Sequence, residues 1–462
     1  MDRSVIDRLQ NTFNLNELGE PIRSWRRSEI IPRLAVGIAA LAVSLSACVE
    51  DNMDLDAVAE TYVRFVLAVG EHDPDFVDAY YGPEAWKNEV GEEALPPDEI
   101  KASADSLIGE IERNLTNYRG ADKSRAENLL KQIGAVSARA AMLSGVELSF
   151  DDESAALYDA VAPSYPLERF QAVVDSLDLL LPGAGAIHER FDAFRSDFVI
   201  PEDRLSTVFE AAISACRERT VQYIDLPEQE SFTVEYVTDK PWSGYNWYQG
   251  DFRSVIQVNT DLPIYIDRAI DLACHEGYPG HHVYNVLLER HLMRDRGWIE
   301  YAIYPLFSPQ SLIAEGSANY GIHVAFPEAE RLEYEGGTLF GLAGIDPASA
   351  PEYYEVMGLM NSLDYAGNEA AREYLDGRID RDTAVSWLVR YAMMPAPRAE
   401  QRISFIERYR SYVINYNLGQ DLVKNFVEAG LSQGDRDRRW ERFRDLLSSP
   451  RVPSALARGF GS

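Results

Sequence analysis

The stretch Leu272–Asn285, LACHEGYPGHHVYN, gathers three of the chain's seven histidines within eight residues and sets Glu276 beside the first of them. Imidazole and carboxylate are donors that a zinc ion takes in tetrahedral array, and a catalytic site keeps one position for water. In the His-Glu-x-x-His pattern of zinc peptidase helices, the two imidazoles lie four residues apart on one face and the Glu takes a proton from water. Here Pro279 stands where the second histidine would be, and His281 follows His275 by six positions. Six residues swing a side chain about 120° off the face of a regular helix; seven, reaching His282, return it to the face about 10 Å along the axis.

Pro279 cannot donate to the carbonyl of His275, and its ring clashes with it, so the helix must kink or bulge there. Gly280 supplies the backbone freedom. A bulge of two extra residues brings His281 back to the place of the ordinary second ligand. The choice between His281 and His282 stays open on spacing alone; the expectation is His275 and His281 as ligands, Glu276 as general base and His282 behind them. A third ligand is expected from SPQSLIAEGSANYGIHVAF, which reads as a helix. Glu315 lies there on an apolar or small-residue stretch, where a bare carboxylate is costly unless paired or metal-bound. Asn319 and His323 follow at one and two turns, as candidates to orient the ligands.

HEGYPGHH followed by AEGSANYG resembles a large bacterial family of predicted metallopeptidases catalogued as domain of unknown function 885. Its members carry His-Glu-x-x-Pro-Gly-His-His and then Glu-Gly-x-Ala-x-Tyr. The first motif matches at His275, Glu276, Pro279, Gly280, His281 and His282. The second matches at Glu315, Gly316, Ala318 and Tyr320, with Ser317 where the family often has Trp. The resemblance extends weakly to RYRSYVINYNLGQ, with Arg410 and Tyr416 before Gly419. It implies an exported or lipid-anchored protein and a helical, zinc-peptidase-like fold with a His-Glu helix and a distant Glu ligand.

The expected chemistry is zinc-dependent hydrolysis of a peptide or small amide, with one Zn²⁺ per chain on His275, His281 and Glu315. A developing oxyanion needs a donor besides the metal. His282, Tyr416 and Arg410 are the candidates, with Tyr278 and Tyr320 ranked behind them. Other readings are a metal-dependent ester or amide hydrolase that is not a peptidase, and a non-catalytic lipid-anchored binding protein with a structural metal site. A Cys-His hydrolase using Cys274 ranks below these, because adjacent residues on a helix point apart; Cys274 is expected to be a small core residue.

The elements around these residues read as mainly α. Helical spacing is expected over 51–72, 97–115, 122–144, 152–160, 166–180, 187–194, 201–223, 309–326, 351–375, 381–393, 398–416 and 420–429. ESFTVEYVT and SVIQVNT alternate as strands, separated by an aromatic loop holding Trp242, Tyr245, Trp247 and Tyr248. A two-stranded element beside the active-site helix follows, with SVIQVNT as an edge open to an extended peptide. The expected division is a helical region over 49–228 and a catalytic region over 229–462.

The net charge is -31 over 462 residues, which argues against nucleic acid or an anionic membrane surface as the main partner. Three cysteines are too few for a disulfide scaffold, and Cys216 and Cys274 are expected as lone thiols. Cys48 ends RRSEIIPRLAVGIAALAVSLSAC, with Arg26, Arg27 and Arg33 before a short apolar run from Ala35 to Leu45, as in a signal peptide. Leu45-Ser46-Ala47-Cys48 resembles the lipobox of bacterial lipoproteins. That implies loss of residues 1–47, a lipid anchor on Cys48 and, with Val49 rather than Asp next, the periplasmic side of the outer membrane. Residues 1–25 precede this leader, which leaves the position of the true start codon open, as it leaves the oligomeric state.

Overall fold

Apolar helical spacing accounts for most of the chain, and side-chain N-caps open a few of its helices. Asp54 accepts from the Asp56 N–H to open Leu55–His72, and Ser308 accepts from the Ser311 N–H to open Pro309–Ala325, with Pro309 in the first turn. The computed structural model describes residues 53–457, apart from 241 and 433. The leader and Cys48 lie outside the described residues. Within them the protein is mainly helical, as expected, with two small sheets. No helix among the described residues is long and apolar enough to cross a membrane.

Most expected helices form within a few residues of their predicted ends. Two do not run through. The segment 351–375 divides into Ala350–Asn361 and Ala366–Leu375. The segment 398–416 divides at Arg410, where φ is +49° after the Ala396–Tyr409 helix; the chain then makes a single turn and continues as Ile414–Glu428. The cause is tertiary. Glu153, almost fully buried, accepts from the Ser411 N–H at 3.0 Å, the Ser411 hydroxyl at 2.6 Å and the Arg410 guanidinium, and so captures the broken turn.

The β element has three strands rather than two. β1 (Val77–Tyr80) pairs antiparallel with a short β5 (Ile303–Pro305) elsewhere. β2 (Ser231–Val237), β3 (Gly244–Gly250) and β4 (Arg253–Asn259) form a sheet in the order β2-β4-β3, with β2 parallel and β3 antiparallel to β4. The expected aromatic loop is largely β3 itself, and SVIQVNT is the central strand, not an edge. GYNWYQG lacks apolar alternation because its side chains line a cleft, so period-two patterning does not reveal it.

The unit Met53–Ser462 contains the boundary expected near residue 228, and its cores draw on both sides of that boundary. Pro309–Ala325 runs between two of them: Leu312 packs with residues of the first helices, while Ile313, Ala314 and Tyr320 pack in the other core. A helix covered on nearly every face must be apolar all round, which is why Glu315 stands out in its sequence. Close packing against Ile414–Glu428 depends on glycine. A Cβ on Gly316 would lie 2.3 Å from the Gly419 carbonyl, and one on Gly419 would lie 2.6 Å from the Leu312 carbonyl oxygen. Gly316→Ala should therefore cost about 1–3 kcal/mol through forced separation of the two helices. The check is thermal unfolding, and an unchanged Tm contradicts this packing.

Candidate metal centre

The helix Asp267–Leu272 widens into one π-type turn, Ala273–Gly277, and then stops. Tyr278 is extended, the Tyr278–Pro279 peptide is cis, and a new helix, His281–Leu288, begins after Gly280. The expected bulge within a continuous helix is thus a break between two helices. The Gly280 N–H donates to the Cys274 carbonyl at 2.9 Å, and a Cβ at 280 would lie 1.9 Å from the His275 carbonyl oxygen. Only glycine permits this approach, and it returns His281 to the side of His275.

A disulfide joins Cys274 to Cys216 on the Leu205–Thr220 helix, with the Cα atoms 5.7 Å apart. This corrects the expectation of two lone thiols. Both cysteines face the same core, and spacing alone could not bring positions 58 residues apart together. In a chain-entropy account the closed loop contributes about 4 kcal/mol. It also fastens the turn carrying His275 and leaves Cys274 no free thiol for a Cys-His hydrolase.

His275 Nε2, His281 Nε2 and Glu315 Oε2 converge. The nitrogens are 3.2 Å apart, and the carboxylate oxygen lies 3.5 Å from the first and 3.8 Å from the second. The centre of a triangle with those three sides lies about 2.0 Å from each corner, the length of a zinc–ligand bond. His275 Nδ1 faces Asn319 Oδ1 at 2.9 Å, while Asn319 Nδ2 donates to the Tyr416 carbonyl, also at 2.9 Å. That second bond fixes the amide, so Nδ1 carries the proton and Nε2 offers its lone pair to the centre. Tyr412 donates to Glu315 Oε1 at 2.8 Å, yet Oε2 is buried with no hydrogen-bond partner. Burial would raise the Glu315 pKa, but His275 and His281 hold it well below the usual carboxylate range. Burial likewise opposes charge on His281, and Glu315, with Glu276 and Asp78, outweighs it and raises the imidazole. The donor set and the orphaned oxygen fit a divalent cation.

Glu276 lies under β3. Asn246 Nδ2 donates to its backbone carbonyl at 2.7 Å, and a Cβ on Gly244 would lie 2.9 Å from its Oε1. Tyr416 lines the same cleft, which has a volume of 2420 Å³ and is walled by β3 and by the face of Ala396–Tyr409 that carries Arg402, Phe405 and Tyr409. Burial first, and then the charges of Glu315 and Glu276, raise the Tyr416 hydroxyl's pKa, which keeps it a proton donor. Sequence reasoning missed Tyr412, Asn246 and Asp78, and placed Tyr245 in the aromatic loop without its partner. Tyr245 donates to Asp78 at 2.9 Å, and burial pushes Asp78 up to about 6 against that bond and against His281. Tyr412 stood inside the quoted RYRSYVINYNLGQ, four residues before Tyr416, and one helical turn was the available signal.

Other expected site residues are held elsewhere. His282 is fully buried, with Nε2 2.9 Å from Glu230 and Nδ1 2.9 Å from the Ser254 hydroxyl. Tyr278 donates to the same Glu230 at 2.7 Å, and Arg217 does so at 2.8 Å. Arg410 is engaged by Glu153, Tyr320 by Glu428, and His323 packs on the Tyr320 ring beside Arg331 and Asp271.

No protein-family model matches the chain, and no curated protein does. Among solved structures it is similar to a candidate lipoprotein of Colwellia psychrerythraea, at 15% identity and TM-score 0.49, over 80% of this chain and 71% of that one. It is also similar to a candidate lipoprotein of unknown function from Shewanella oneidensis, at 14% identity and TM-score 0.45, over 89% of this chain and 79% of that one. A third structure, BsuCP, aligns at 10% identity and TM-score 0.36, over 85% of this chain and 88% of that one.

The Glu230 cluster yields a prediction separate from the metal donors. Burial works against the carboxylate, but His282, Tyr278 and Arg217 hold Glu230 at about 2, against an ordinary 4.5. A depressed carboxyl stabilises the fold above its unfolded pKa and loses that contribution as pH falls through the folded value. His282→Ala should cost about 3 kcal/mol at neutral pH. The stability difference between the wild type and Glu230→Gln should shrink as pH drops from 4.5 toward about 2. Denaturant unfolding measured across that range checks both, and a pH-independent difference contradicts the second.

Proposed function

We propose that this chain is a zinc-dependent hydrolase that cleaves peptides in the bacterial cell envelope. One observation carries the reading: Glu315 Oε2, buried and without a donor, faces two imidazole nitrogens at bond-forming spacing around a common centre. The motif resemblance to domain of unknown function 885 supports the same reading. So does the disulfide, which persists in oxidising compartments and is rare in the cytosol.

His275, His281 and Glu315 would hold the cation. Zinc in such a set supplies Lewis acidity and brings the pKa of a water toward neutrality. Glu276 takes the proton as water attacks the scissile carbonyl, then delivers it to the leaving amine. Tyr416 donates to the oxygen that gains charge. Asn319 keeps His275 in the tautomer that offers Nε2, and Tyr412 keeps Glu315 turned toward the histidines. β3, whose Gly244 lies against Glu276, presents the side of the sheet nearest the centre to an extended substrate. His282 and Arg410 take no part in these steps.

Residues 26–48 are read as an export signal ending in a lipid-anchored Cys48, so Cys48→Ser should move the protein from the membrane fraction to the soluble fraction; an unchanged distribution removes the anchor. The activity test is hydrolysis of a peptide library by the full chain. EDTA should abolish it, Glu276→Gln should lower kcat roughly 10²–10⁴-fold, and Tyr416→Phe should lower kcat with little change in KM. Activity confined to non-peptide esters contradicts the peptidase reading, and hydrolysis untouched by EDTA contradicts the metal.

A further inference from the structure

Arginine in the cleft divides into two groups. Arg195, Arg268, Arg331, Arg436 and Arg439 each pair with a carboxylate. Three line the cleft without a carboxylate partner among the described residues: Arg169, whose guanidinium lies over the Tyr165 ring at 4.0 Å, and the pair Arg398 and Arg402, one turn apart on the Ala396–Tyr409 helix. The Arg402 guanidinium rests only on aromatic rings, 4.7 Å from the Phe405 centroid and 5.9 Å from that of Tyr416. Two like charges at this helical spacing repel each other. In a chain with 75 acidic residues against 44 basic ones, a carboxylate to neutralise them was abundant. Burial, and then the charges of Arg268 and Arg195, push the Arg398 guanidinium below its ordinary range; burial, and then Arg398, do the same to Arg402 against the opposing effect of Tyr416. An unneutralised pair facing a cleft is what an anionic ligand would complete.

We propose that Arg402, supported by Arg398, receives the free α-carboxylate of the substrate, so that the cleft takes a peptide by its carboxy-terminal end and releases a short piece from it. The proposal rests on the hydrolase reading of the same cleft. A planar guanidinium presents parallel N–H donors that match a carboxylate. Tyr416 links this pair to the chemistry: one face of its ring neighbours Arg402, its hydroxyl feels the charges of Glu315 and Glu276, and its carbonyl anchors Asn319. A carboxylate on Arg402 therefore sits across one aromatic ring from the proposed reaction centre, within a few residues of the scissile bond. In the cleavage, water is the only co-reactant. Its oxygen bonds to the scissile carbonyl carbon as the C–N bond breaks, and its proton passes through Glu276 to the leaving amine, which departs carrying the original carboxy terminus.

Binding can be measured without turnover in the full chain carrying Glu276→Gln, by calorimetry with a panel of N-acetylated tetrapeptides in free-acid and carboxamide forms. The acids should bind roughly tenfold or more tightly than the amides. Adding Arg402→Gln should erase that difference, and Arg402→Lys should restore part of it, with Tm and metal content unchanged. Adding Arg398→Gln should weaken the preference without abolishing it. Equal affinity for acid and amide, a preference that survives Arg402→Gln, or no binding of either form overturns the proposal. Equally tight binding of a carboxamide ending in Glu overturns the chain-end assignment, because the carboxylate then comes from a side chain. The hydrolase reading fails separately, when the wild-type protein cleaves neither form.

Discussion

A buried carboxylate oxygen without a donor is the constraint around which this structure is arranged. Three other buried glutamates show how the fold ordinarily treats such a group. Glu153 accepts from Arg410 and from both the N–H and hydroxyl of Ser411; Glu230 accepts from Arg217 and Tyr278 and lies against His282; Glu289 accepts from Tyr248, the Asp251 and Phe252 N–H groups and Arg294. Each is fully served. Glu315 has Tyr412 on one oxygen and only two imidazole nitrogens before the other. Leaving a buried polar atom unpaired costs about 1–3 kcal/mol, more for a charge. A bound cation removes that cost.

The surrounding elements hold this arrangement in place. The glycine contact between Pro309–Ala325 and Ile414–Glu428 brings Asn319 within reach of the Tyr416 carbonyl, so the same packing that buries Glu315 orients His275. The disulfide fastens the turn before His275, and Gly280 closes the turn after it. β3 covers Glu276 from the other side. Packing, turn geometry and the position of the proposed general base are therefore coupled, and displacing one element moves donors contributed by the others.

Local chemistry made part of this legible in the sequence. Helical spacing led to the mainly α class, and the cost of a carboxylate among apolar residues pointed to Glu315. The Pro-Gly pair announced a distortion between the histidines, although its form, a full break, follows from Tyr278 being extended and from the contact at the His275 carbonyl. What stayed hidden depends on distant partners. Glu230 pairs with His282 and Glu153 with Arg410, so two residues placed by motif near the chemistry are held by carboxylates far along the chain. The Cys216–Cys274 pair and the strand character of GYNWYQG are likewise set by residues far along the chain.

The central claim is that His275, His281 and Glu315 hold one divalent cation. Anomalous diffraction at the zinc edge, from crystals of the full chain grown with zinc, tests it most directly. The account predicts a single strong peak about 2.0–2.2 Å from His275 Nε2, His281 Nε2 and Glu315 Oε2. It also predicts loss of that peak in Glu315→Ala. A peak between His282 and Glu230, or no peak within bonding distance of Glu315, would contradict it.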